Sequence, residues 1–71
     1  MEFTNTLKEL YQEEIIEVRG NSDALAITLK DGVNIKEFTK KLKDKFKNLD
    51  ETQKLFLKNE SEEHVTLVVL E

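Results

Sequence analysis

The sequence contains no cysteine and no proline, and it has only two glycines, one histidine and one arginine. Without cysteine there is no disulfide framework and no thiolate metal site, so nothing covalent supplements the core. Lack of cysteine also suits a reducing compartment. The start, MEFTNTLKEL, is acidic and polar, unlike a secretory signal, and together these point to a cytoplasmic protein. No apolar run approaches the ~18 residues of a membrane span, so no membrane partner is expected. Two glycines and no proline leave the loops with little punctuation. The single histidine, His64, has no second histidine at metal-ligand spacing, so neither a metal nor a cofactor is expected.

What is present suits a folded domain. The 71 residues are 38% hydrophobic and 37% charged, enough of each for one small domain spanning 1–71. A core of this size leaves little stability to spare, so regular local structure or self-association has to add to it.

Two amphipathic patterns predict helices. In NIKEFTKKLKDKFKNL, Ile35, Phe38, Leu42, Phe46 and Leu49 recur every three or four residues and form one apolar stripe. Asn34 and Glu37 have capping-box spacing, and Val33 with Phe38 has the spacing of a hydrophobic staple. Near the start, Phe3, Leu7, Leu10 and Tyr11 give a second stripe, with Thr6 and Glu9 as a further capping-box pair. Glu14 would fall on that apolar side, so this helix should end close to it.

Strands are marked by alternation. In ALAITLK, Leu25, Ile27 and Leu29 share one face. EIIEVRG precedes it, with Ile16 and Val18 on one face, and GNSD between them is turn chemistry, which makes a hairpin. KLFLK and HVTLVVL flank NESEE as a second hairpin. The final run is apolar on both faces, which predicts a central or doubly covered strand with Val65, Leu67 and Val69 towards the helices and Val68 and Leu70 on the other side. The order α-β-β-α-β-β predicts an α+β domain, two helices packed on a four-stranded, mostly antiparallel sheet.

Chemistry-bearing residues are sparse, and no catalytic residue is assigned. Ser22 and Ser61 fall in predicted turns, where hydroxyls commonly bond local backbone. The acidic pairs Glu13–Glu14, Asp50–Glu51 and Glu62–Glu63 are chain neighbours whose side chains diverge, so they form no carboxylate dyad. LKDGVNIKE has nothing of a phosphate loop. A binding protein, not an enzyme, is therefore expected.

Charge carries most of the remaining signal. Residues 1–29 hold six acids and two bases, residues 30–58 nine bases and five acids, and residues 59–71 four acids and no base, within a total of −4. Such segregation often marks an interaction surface. Lys36, Lys40, Lys43 and Lys47 line the wet side of the second helix, with Asp44 spaced to pair with Lys40 and Lys47. A nucleic-acid face usually adds arginine or aromatics for the bases, and this stripe has neither, so a solvated helix face is favoured over direct nucleic-acid binding. Glu2, Glu9 and Glu13 line the outer side of the first helix, and Glu60, Glu62 and Glu63 cluster in the second hairpin loop. Rows of carboxylates can imitate duplex phosphates and occupy a basic surface.

VRGNSDALAITLKDGVNIKEFTKKLKDKF resembles the opening of the N-terminal domain of the septum-site-determining division inhibitor MinC. The shared pattern is a strand, a short polar turn, a strand ending in an acid and then a helix of the FEELLEEL kind. It covers residues 14–47, and LFLKNESEEHVTLVVLE parallels the strand pair that follows. The resemblance implies a regulator of bacterial cell division. The N-terminal helix is not part of that pattern, and no functional residue carries over.

The residues lead to the expectation of a small non-catalytic inhibitor. Its acidic face would cover the basic surface of another protein, for example a DNA-binding protein, in the manner of a DNA mimic or a phage host-takeover product. A cell-division regulator is the alternative, and a weak nucleic-acid binder through the lysine stripe a further one. The apolar last strand adds the expectation of a homodimer through the outer sheet face or the edge strand.

Overall fold

A computed structural model describes residues 3–20, 24–45 and 53–70. The chain runs α1 (Phe3–Leu10), β1 (Ile15–Gly20), β2 (Ala24–Leu29), α2 (Ile35–Lys45), β3 (Gln53–Asn59) and β4 (Thr66–Leu70). This is the expected α+β order. The four strands form one mixed sheet in the order β1-β2-β3-β4. The β1–β2 and β3–β4 ladders are antiparallel, and β2–β3 is parallel. A parallel neighbour needs a crossover long enough to return the chain to the same end of the sheet, and the segment containing α2 supplies it.

The core lies between the helices and one face of the sheet. Leu25, Ile27 and Leu29 of β2 and Leu55 and Leu57 of β3 are almost fully buried there. Leu7 of α1 and Phe38 and Leu42 of α2 close over them, and Ile15 completes the cluster. The Tyr11 ring meets Phe38 edge-on, with centroids 5.2 Å apart at 72°, and so joins the end of α1 to α2.

Local signals explain the element boundaries. The Glu37 amide donates to Asn34 Oδ1 at 3.0 Å, so the cap read from the sequence starts α2. Val33 packs on the core as the staple requires. The polar turn 21–23, the predicted stripe residues Phe46 and Leu49, and the side chain of Phe3 lie outside the described residues.

Several expectations are corrected. Thr6 lies inside α1 and does not cap it, because the helix already runs from Phe3. Leu10 is 49% exposed, since the chain leaves the helix through a turn at Tyr11–Glu14 before that side chain can reach the core. In β1 the register shifts between Ile15 and Glu17, so that Ile15 opposes Leu29 and Val18 opposes Ile27. This bulge puts Ile15 and Val18, not Ile16 and Val18, on the core side.

The largest correction concerns β4. It is an edge strand, neither central nor covered on both faces. Its facing is also reversed: Val68 packs against the core, while Val65, Leu67 and Val69 are 53%, 56% and 41% exposed, and the side chain of Leu70 lies outside the described residues. Register with β3 decides this. Val68 stands opposite buried Leu55 and Leu67 opposite Phe56, so the inward leucines of β3 dictate which side of β4 turns in.

Gly20, at the end of β1, has φ +138, and a Cβ there would run into the Ala24 carbonyl oxygen and stand 2.9 Å from the Leu25 Cα. Gly32 has φ +94 with open space around it. Both positions favour glycine, and only Gly20 is also closed by backbone. Gly32→Ala should cost about 1–3 kcal/mol through conformation alone. Gly20→Ala should cost clearly more, because backbone must move. Urea denaturation of the two variants checks the order.

Candidate functional site: one acidic end of the sheet

Three described connections meet at one end of the sheet: the α1–β1 turn, the β2–α2 loop and the β3–β4 loop. The Lys30 amide donates to the Glu14 carbonyl at 2.8 Å, and the Glu60 amide donates to the Leu29 carbonyl at 2.8 Å. These two bonds bring together segments far apart in the chain. They place Glu13 and Glu14, Asp31, and Glu60, Glu62 and Glu63 around the same end, with Glu9 in the last turn of α1 just behind. Two of the acidic clusters seen in the sequence therefore share one end of the fold. Glu9, Glu13, Glu60, Glu62 and Glu63 are all exposed. Glu2 lies outside the described residues.

Short polar contacts fix this end. Asp31 Oδ1 accepts from the Ser61 amide at 3.0 Å and from the Ser61 hydroxyl at 2.8 Å. Both bonds favour the carboxylate and hold Asp31 below the ordinary carboxyl value of 3.8. Asn59 is buried, and its Nδ2 donates to the carbonyls of Lys30 at 3.0 Å and Val33 at 2.9 Å. The β2–α2 loop is thus tied to the β3–β4 loop twice. The Lys58 ammonium donates to the carbonyls of Glu60 and Glu62 at 3.2 and 2.9 Å, folding its charge under the loop. Asp31, Val33, Asn34, Lys36, Asn59 and Glu62 are among the residues that surround an open depression here. Lys30 and Lys36 share this end, so its charge is acidic in excess, not uniformly acidic.

Glu14 is bound differently. Its Oε2 accepts from Lys41 Nζ of α2 at 2.8 Å. The bond raises the Lys41 ammonium above its ordinary 10.5. Beside the pair, burial pushes the Tyr11 hydroxyl up, Lys41 works against that shift and Glu14 adds to it. Glu14 therefore ties the α1–β1 turn to α2 and is not part of an open acidic surface.

The lysine stripe is present along α2, where Lys36, Lys40 and Lys43 are exposed; Lys47 lies outside the described residues. The expected Lys40–Asp44 pair does not form: among the described residues the ion pairs are Arg19–Glu17 and Lys41–Glu14. His64 and Ser61 are exposed in the β3–β4 loop, and Ser61 is occupied by Asp31. Among the described residues no group of three or more acids and histidines could hold a metal ion, and no helix is long and apolar enough to cross a membrane.

Sequence reading missed Asn59, Asp31 and the Glu14–Lys41 link. Nothing local marks them, because each partner lies 26 to 30 residues away along the chain. No family description, no curated protein and no solved structure matches the chain.

Asn59→Ala would strip a donor from two carbonyls and should cost about 1–3 kcal/mol, measured by urea denaturation. Asp31 should titrate below 3.8 in an NMR titration. Ser61→Ala should move it upward only in part, because the backbone bond remains. The Asp31 contribution to stability should be complete above the ordinary carboxyl pKa and fade as pH falls through its own lower one.

Proposed function

We propose that this protein is a small non-catalytic binding module that recognises a basic surface on another protein through the acidic end of its sheet. The reading rests on the gathering of Glu13, Glu60, Glu62 and Glu63 at one end, where Asp31–Ser61 and Asn59 hold the β3–β4 loop and the Lys30–Glu14 backbone bond holds the turn that carries Glu13. Pre-positioned carboxylates on fixed loops lose little freedom on binding, and complementary charge speeds encounter and rejects acidic partners. A basic DNA-binding protein, whose surface is built for phosphate, is a fitting partner class, and an inhibitor covering that surface is the activity that follows.

A second reading rests on the missing Lys40–Asp44 pair. Lys36, Lys40 and Lys43 present unpaired charge along α2 and would hold nucleic-acid phosphates weakly.

Pull-down from a bacterial lysate, with captured proteins identified by mass spectrometry, tests the first reading against a Glu60→Lys, Glu62→Lys, Glu63→Lys variant. The parent chain should capture basic proteins in a salt-sensitive manner, and the variant should lose them. Capture of acidic proteins only, or capture unchanged in the variant, would remove the reading. Titration with duplex and single-stranded oligonucleotides near ~50 mM salt tests the second, since electrostatic binding is strong there and its absence is decisive.

A further inference from the structure

We infer that β4 is a self-pairing edge, and that two copies of this chain join β4 to β4 antiparallel into one continuous eight-stranded sheet.

The two edges of the sheet are built differently. Edge strands are usually kept from pairing by charge, proline or a bulge. β1 carries two of these devices: the register shift between Ile15 and Glu17, and the exposed Arg19–Glu17 ion pair at 3.0 Å. β4 reads Thr-Leu-Val-Val-Leu, with no charge and no proline, and its ladder with β3 runs from Thr66 to Leu70 without a shift. Among the described residues nothing pairs with its outer side.

The sequence of β4 suits its own copy. A two-fold axis at Val68 sets Val68 against its mate, Leu67 against Val69 of the second copy, and Thr66 against Leu70, so all five residues overlap. Facing pairs then share a side of the sheet, the helices of both copies lie on one face, and the exposed Leu67 and Val69 side chains meet across the new ladder. No charged side chain of β4 meets a like charge.

Charge also decides how the copies meet. Around Phe56 the outer face carries the exposed Lys54, the Lys58 stem and the Arg19–Glu17 pair. Packing two such faces together would take Lys54 and the Arg19–Glu17 pair out of water with no new partner for either. Edge pairing leaves β3 of one copy three strand spacings from β3 of the other, roughly 14 Å, with Lys54 still in water. That separation exceeds the screening length of about 8 Å at physiological salt.

Sedimentation equilibrium over a concentration series tests this. The parent chain should rise from 8.3 kDa towards twice that mass. Leu67→Lys and Val69→Lys change exposed positions, should keep the parent circular dichroism, and should remain at 8.3 kDa. Phe56→Lys, at the middle of the outer face but away from the edge, should still dimerise. A parent mass fixed at 8.3 kDa at the highest soluble concentration would overturn the inference. So would a dimer lost in Phe56→Lys and kept in both β4 variants, which would mean the faces pack instead.

Discussion

The parallel pairing of β2 with β3 sets Leu25 beside Leu55, Ile27 beside Leu57 and Leu29 beside Asn59 along the middle of the sheet. The remaining parts are placed by this ladder. Because the strands run the same way, the chain must cross back over one face, and α2 brings Phe38 and Leu42 onto the buried leucines as it does so. The same crossover leaves the ends of β2 and β3 side by side, which is why the β2–α2 and β3–β4 loops can be tied through Asn59 and Ser61. With both helices committed to one face, the opposite face is covered, among the described residues, by its own side chains.

Short-range patterns were readable, and long-range choices were not. The Ile35–Phe38–Leu42 part of the α2 stripe, its Asn34 cap and the inward face of β2 all depend on spacing within a few residues, and the structure keeps them. β4 is apolar at every position but Thr66, so its own alternation cannot say which side turns in. That choice came from Leu55 and Leu57 of the neighbouring strand. The β1 bulge is hidden for a similar reason: Ile15, Ile16 and Val18 are all apolar, and only pairing with β2 shows which residue is extra. At the acidic end, the sequence displayed the glutamates but not their proximity. That proximity depends on two backbone bonds between distant segments.

The two ends of the charge pattern are therefore of different kinds. Glu14 and Lys41 join the α1–β1 turn to α2, whereas Glu60, Glu62 and Glu63 project from a fastened loop. Counting charges along the chain treats these alike. Their neighbours in the fold separate structural charge from charge left for a partner.

The edge-on contact between Tyr11 and Phe38 has an optical consequence. The chain has one tyrosine and no tryptophan, so its strongest near-ultraviolet chromophore sits at the junction of α1 with α2. Its absorbance, fluorescence and near-ultraviolet dichroism report on that junction and on little else. A change in α1 docking is visible without any label, while events confined to the β4 edge leave the tyrosine signal silent.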